Sequence, residues 1–420
     1  MNRAHRRRWS SDGITHAPSR HGQPSPARLR VCHLIHSLGP GGAEDVLVDL
    51  ARASRRTAID VSVVSMMRPG EERHAEQLRS LGIPVRSLGM ASRWDPRALR
   101  RSVAVTRELQ PDIVHTHLKH ADLVGAHVAS RLGVPLVSTL HLIEDGPTPV
   151  GRVKRRLAAA VRRRRAALTI AVSDALRQWY LAEFGIPASQ VVTVRNGVSA
   201  AAAISATQRT ALRADLGVPP GALLAAFVGL MRPGKGHDEL LDAVEQMPSN
   251  VDVRYVLAGD GPLRAVLAAR VRANPLLERA VVFAGFRDDI GSLLQAADLL
   301  IHPSRFDALP TAVIHGLAAG LPIVASNVGG VPEIVTPDVG VLVRPQDGRG
   351  LAQAITTMAR DSAMRAQMGA AARRRFEQEF AAEAWAAKLR AQYQTVLVRP
   401  DVAVRTHRSM AMVNRRWSAR

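Results

Sequence analysis

Short apolar runs alternate with helix-patterned segments along nearly the whole chain, and they do so in two successive series. The first begins with an apolar run at 29–37, a glycine-rich turn at 39–42 and helical spacing over 43–53, which together make a βα unit. It continues with strands at 60–66, near Val85, and at 113–117, 136–140 and 168–172, separated by helices at 72–81, 96–109, 121–132 and 152–165. An Ala- and Ser-rich stretch at 198–205 bridges to the second series. There, strands are predicted at 223–229, 253–258, 281–283, 299–302, 323–325 and 340–343, with helices at 239–246, 291–297 and 311–319 and one running to about residue 273. A long helical stretch over 350–397 follows. Apolar strands of this kind are buried on both faces of a parallel sheet. The pattern therefore predicts an α/β protein of two doubly wound, Rossmann-like domains, 29–200 and 201–375, with a helix over 376–398 returning to the first domain. The cleft between the domains is the expected ligand site.

A chain of 420 residues suits two domains. It has no run of about 18 apolar residues, so no spanning helix is expected. Cys32 is the single cysteine, which excludes an intramolecular disulfide framework and a multi-cysteine zinc site and fits a reducing compartment. The 57 Lys and Arg against 36 Asp and Glu give a formal charge of +21, and the excess is concentrated in particular segments. Residues 1–28 and 399–420 read as basic tails too poor in apolar residues to fold, and the first lacks the apolar core of an export signal. The third segment is the amphipathic helix 152–165, with Arg152, Lys154, Arg155, Arg156 and Arg162 to Arg165. Solvated surface is one reading of it. The other is an anionic membrane surface, which attracts such cations at roughly 1 kcal/mol each. Specific nucleic-acid binding is not expected, because no basic segment interleaves aromatics for stacking.

Several motifs stand in a telling order: Gly41-Gly42-Ala43-Glu44, Asp112 to His117, Val172-Ser173, Arg195 to Val198, Lys235-Gly236-His237, Ala258 to Pro262, Ala297-Asp298 with Pro303-Ser304, and Gly320 to Pro322 leading to Gly329 to Glu333. In that order and spacing they resemble the retaining glycosyltransferases of the GT-B fold, family 4 or group 1, over about residues 29 to 395. The resemblance implies transfer of a sugar from a nucleotide diphosphate donor, UDP- or GDP-linked, with retained anomeric configuration and no metal or cofactor.

The reaction needs fixed donors aimed at a pyrophosphate that gains charge as the sugar leaves. Lys235, between two glycines after a strand, is one of only four lysines and is expected to meet the phosphates, with Arg232 nearby. The loop Asp307-Ala308-Leu309-Pro310-Thr311 runs into a helix whose first N–H groups suit the β-phosphate. Gly41 and Gly42 allow close backbone approach from the other domain. Alternate residues His115 and His117 share a strand face, and the resemblance places His117 at the donor sugar with His115 as support. It also places Gly285 and Phe286 at the nucleobase, and Glu333, with Gly329 and Gly330, on the floor of the site; a helix N-terminal acid is the other reading of Glu333. Asn196-Gly197 reads as a turn at the domain junction.

Two departures stand out. The family's pair of glutamates, with seven residues between, is here Asp307 and His315, and Leu230 stands where an arginine is frequent. Neutral imidazole offers one acceptor where a carboxylate accepts both ribose hydroxyls, so nucleotide affinity and catalytic efficiency are expected to suffer. Two other functions stay open: a non-catalytic nucleotide-sugar-binding protein, and a nucleotide-sugar epimerase, for which no acid and base carboxylate pair is evident. The acceptor is expected on the N-terminal domain as a lipid-linked or cell-envelope glycan. The expected location is cytoplasmic, peripheral at the inner membrane face.

Overall fold

A computed structural model of the protein describes residues 28–39, 41–67, 73–90, 96–143 and 148–398. Apart from Arg28, the basic tails expected over 1–28 and 399–420 lie outside the described residues.

The first domain runs β1 (Leu29–Ile35), α1 (Gly42–Thr57), β2 (Ile59–Met67), α2 (Arg73–Ser80), β3 (Val85–Met90), α3 (Pro96–Glu108), β4 (Ile113–His117), α4 (Leu118–Leu132), β5 (Leu136–Leu140), α5 (Pro149–Arg165), β6 (Ala166–Ala171), α6 (Asp174–Phe184) and β7 (Val191–Thr193). Its seven strands are all parallel, in the order β3-β2-β1-β4-β5-β6-β7. Every residue of β4 and β5 is buried, as a sheet covered on both faces requires.

The second domain runs α7 (Ala206–Asp215), β8 (Leu223–Val228), α8 (His237–Glu245), β9 (Val253–Ala258), α9 (Arg264–Ala273), α10 (Pro275–Ala280), β10 (Val281–Gly285), α11 (Ile290–Ala296), β11 (Leu299–His302), α12 (Thr311–Ala318), β12 (Ile323–Ser326), β13 (Gly340–Val343), α13 (Gly348–Arg360) and α14 (Ser362–Arg375). Its six parallel strands follow the order β10-β9-β8-β11-β12-β13. Each sheet grows outward in both directions from a central pair, β1 and β4 in one and β8 and β11 in the other. A crevice opens at such a switch point, beyond the carboxyl ends of the strands.

The long C-terminal helix is broken. A π-helical turn at Phe376–Phe380 ends α14, and α15 (Ala382–Val398) then crosses to the first domain. Trp385, Leu389, Tyr393 and Val396, at helical spacing, join Val46, Leu47 and Leu50 of α1 in one apolar core. Where the chain crosses out and back, Val198 N–H donates to Phe380 O and Ala382 N–H to Val198 O. Gly197 is not the turn expected there. It is needed because a Cβ would lie 2.8 Å from both Ala381 O and Trp385 Cβ. A second core joins the domains, running from Val172 and Leu176 to Val331, Ile334 and Phe380.

On α5, Thr148 caps the N-terminus by accepting the Gly151 N–H, and Pro149 starts the helix. Arg162 does not belong to a charged surface as expected: it is buried, with Nη2 2.6 Å from Oδ2 of the fully buried Asp122. Arg155 pairs with Glu183 at 2.6 Å. The exposed face instead carries Val150, Val153 and Leu157, flanked by Arg152, Arg156 and Arg163 to Arg165.

Candidate active site

The two switch points face one another across a cavity of about 420 Å³. On the first domain, the chain leaves β1 and enters α1 at Gly41 and Gly42. A Cβ on Gly41 would collide with the carboxylate of Glu44, which folds back over it, and a Cβ on Gly42 would lie 3.5 Å from Thr311 Oγ1 of the other domain. Asp45 and His74 line the same wall. His74 donates through Nε2 to Asp45 Oδ1 at 2.8 Å and through Nδ1 to Leu38 O at 3.2 Å. Burial acts to lower its pKa, but the Asp45 bond and charge outweigh it, so the pKa is raised and the imidazolium favoured.

On the second domain, Gly229, Leu230, Arg232 and Lys235 follow β8 and line the cavity. Lys235 Nζ lies 2.7 Å from Asp307 Oδ2, which His302 Nε2 approaches at 3.3 Å. Burial would raise the Asp307 pKa, yet the His302 hydrogen bond and the Lys235 charge hold it far below the usual carboxylate range. Asp307 is therefore a fixed anion on the cavity wall. Leu309, Pro310, Thr311 and Ala312 also line it at the start of α12. Pro310 is the N-cap and its carbonyl takes the Val313 and Ile314 N–H groups, leaving those of Thr311 and Ala312 without intrahelical acceptors. Across the cleft mouth, the Arg73 guanidinium sits 4.9 Å from the Phe286 ring centroid and pairs with Asp288.

His117 is not where it was expected. It is buried behind the wall, between His33 and His141, and of these three histidines it is His141 that lines the cavity. His115 is equally internal, bonded to Tyr393 Oη at 2.6 Å and Thr139 Oγ1 at 2.7 Å.

Two family models cover the two domains: "Glycosyltransferase Family 4" matches residues 40–202 and "Glycosyl transferases group 1" matches 208–375. A D-inositol 3-phosphate glycosyltransferase of Kineococcus radiotolerans is 30% identical over 382 residues, covering 80% of this chain and 86% of that protein. The chain belongs to glycosyltransferase family 4. A second relative of the same name, from Streptomyces avermitilis, is 33% identical over 293 residues, 63% of this chain and 61% of that one. The crystal structure of Anabaena Alr3699/HepE in complex with UDP and glucose superposes with a TM-score of 0.77 at 26% identity, over 88% of this chain and all of that one. The architecture is accordingly the GT-B fold, and the enzyme is a glycosyltransferase that uses nucleotide-sugar donors.

In this glycosyltransferase Gly41, Gly42, Arg232, Lys235, Phe286, Asp307, Leu309, Pro310 and Thr311 line the cavity, whereas Gly285, Ala308, His315 and Glu333 do not. Gly285 turns its carbonyl to the Gly259 N–H at 2.7 Å. Ala308 is buried, with its carbonyl packed so closely on Gly330 that a Cβ there would not fit. His315 is half-buried near the carboxylate of Asp49. Glu333, expected on the floor of the site, caps another helix: its carboxylate accepts the Asp174 and Ala175 N–H groups of α6 at 3.0 and 2.9 Å and pairs with Arg195 at 2.8 Å. The residues missed from sequence include Asp45, His74, His141 and His302. His141 directly follows β5, at the carboxyl end of a strand near the switch point, a signal that was available. Among the described residues, His33, His115 and His117 form one group whose ring nitrogens lie within 4.8 Å of each other. Both nitrogens of His115 and of His117 are engaged in protein hydrogen bonds, so the group fits a hydrogen-bonded network better than a metal ligand set.

Proposed function

We propose that this glycosyltransferase moves a hexosyl group from a UDP- or GDP-sugar with retained configuration, using a site built from both domains. The observation that carries the reading is the convergence of Lys235, the free N–H groups of Thr311 and Ala312, and the Gly41-Gly42 backbone on one cavity. As the bond from the anomeric carbon to the β-phosphate oxygen breaks, negative charge grows on the diphosphate. Lys235 and the start of α12 are fixed donors for that charge, and their being preset lowers the barrier. The acceptor oxygen bonds to the anomeric carbon on the face the diphosphate leaves, and its proton ends on the departing phosphate. Asp307, held ionised by Lys235 and His302, orients the lysine and meets a donor hydroxyl. His141 takes the sugar contact that was assigned to His117. Phe286, with Arg73 over its ring, flanks the base, and Arg232 reaches the phosphates where Leu230 supplies no charge. Uracil as the base is supported by the UDP complexes of the Anabaena protein.

The acceptor we propose is a lipid-linked or envelope glycan met at the inner membrane face. Support comes from the exposed Val150, Val153 and Leu157 stripe with its flanking arginines. No helix among the described residues is long and apolar enough to cross a membrane. Nucleotide release from a panel of UDP-, GDP- and ADP-sugars, with and without membrane extract, tests the function. Release from one donor, raised by extract and lowered about 100- to 1,000-fold in Lys235→Ala, is expected. Release that is unchanged in the variant, or absent with every donor and acceptor, overturns it.

A further inference from the structure

We propose that His33 and His117 are positioning residues, forming a buried string of imidazoles that fixes His141 as a hydrogen-bond donor with its proton on Nδ1. The proposal concerns the wall of the cavity that the preceding section assigns to the donor sugar, and it rests on that reading only for its catalytic consequence.

The string is continuous. His33 Nδ1 lies 2.9 Å from His117 Nε2, and His117 Nδ1 lies 2.9 Å from His141 Nε2. Burial lowers the pKa of His33 to about 3 and that of His141 to about 4, and it acts in the same direction on His117. All three rings are therefore neutral near pH 7. A neutral imidazole has one N–H and one lone pair, so two bonds in series admit only two polarities. In the first, His33 donates to His117 and His117 to His141, which leaves the His141 proton on Nδ1. In the second every bond is reversed, and the proton of His33 moves to Nε2.

The far end decides between them. His33 is 0% exposed and its Nε2 has no hydrogen-bond partner. A buried N–H without an acceptor is rarer and costlier than a buried lone pair without a donor. The first polarity avoids the orphaned N–H. His115 leaves the string undisturbed, because Tyr393 and Thr139 occupy both its nitrogens.

His141 then meets the substrate through an N–H. It donates to a lone pair of a sugar or phosphate oxygen and cannot remove a proton from the acceptor. The ring contributes orientation and charge stabilisation, which suits a transfer in which the leaving phosphate takes the acceptor's proton.

The test is nitrogen NMR of ¹⁵N-histidine-labelled full-length enzyme, with the His141 signals identified by their loss in His141→Gln. Protonated Nδ1 and bare Nε2 are expected, the reverse of the tautomer preferred by a neutral histidine side chain in water. Protonated Nε2 in the wild type overturns the proposal whatever the activity. Two substitutions separate polarity from packing. The Asn amide in His33→Asn still donates at the Nδ1 position, and turnover should fall only a few-fold. His33→Asp can only accept, so it should reverse the string, move the His141 proton to Nε2 and lower kcat by about tenfold or more with a smaller change in KM. Equal losses in the two variants, each still melting cooperatively, also overturn the proposal. A protonated Nδ1 in an enzyme that releases no nucleotide from any donor supports the string and counts against the transferase reading.

Discussion

Glu333 shows how one carboxylate can join two domains. It is contributed by the loop after β12, yet its bonds go to the first turn of α6 and to Arg195 in the other domain. Its side chain is 15% exposed, so these charge-assisted bonds are largely shielded from water. Glu333→Gln keeps the shape but loses the charge that favours a helix N-terminus. We expect a loss of about 1 to 3 kcal/mol, which for a protein of this size lowers Tm by several degrees. Because Glu333 does not line the cavity, nucleotide affinity measured by titration calorimetry should stay within about twofold of wild type. A large affinity loss without a change in Tm would return Glu333 to the binding site. Lys235 presents the opposite case, since its pairing with Asp307 is made inside the cavity and its removal should cost turnover more than stability.

At the scale of elements, α5 carries the strongest surface signal. Val153 is 68% exposed and Leu157 51%, and with Val150 they form an apolar stripe of the kind that marks a contact surface. Replacing both with glutamate removes apolar area and adds repulsion from anionic lipid. Co-sedimentation with phosphatidylglycerol vesicles should fall at least about tenfold at physiological salt. Sugar transfer to a soluble acceptor should be retained. Vesicle binding that survives the double substitution would assign the contact to another surface.

The alternating strands and glycine loops were legible because buried parallel strands leave apolar runs and because a glycine such as Gly236, whose Cβ would run into Pro303 O, sits where a side chain would not fit. Other elements left weaker traces. Val191 to Thr193 is too short for any periodicity, and α6 is half polar despite the Ser173 cap that begins it. The π-helical break at 376–380 interrupts no apolar spacing, so 350–397 read as continuous. The site was half legible for a related reason. Lys235 and the 307–311 loop announce themselves locally. Asp45 and His74 meet because α2 folds back over Leu38, and His141 reaches the same cavity because β5 lies beside β4, neighbourhoods that sequence spacing does not encode. The alternation of His115 and His117 was read correctly as a shared face, but that face turns toward α15 and the core.

Taken as a whole, the molecule stores an acid sensitivity in its interior. His33, His115, His117 and His141 all have pKa values lowered by burial. Above about pH 6.5 they are neutral whether the chain is folded or not, and stability is complete. As pH falls through 6.5 the unfolded chain takes up protons that the folded one refuses. Each histidine then removes up to about 1.4 kcal/mol per pH unit until its folded pKa is reached. His74, with its raised pKa, acts oppositely but is one group. Tm should therefore decline steeply between about pH 6 and 5, earlier than carboxylate titration would give. A flat Tm over that range would show that the four rings titrate normally. The return of α15 has a consequence of another kind. Trp385, Leu389 and Tyr393 complete the packing of α1, so a ribosome that has finished β7 has not yet made the side chains that close the first domain's core. The domain synthesised first must wait for α15, which is made only after the second domain's sheet.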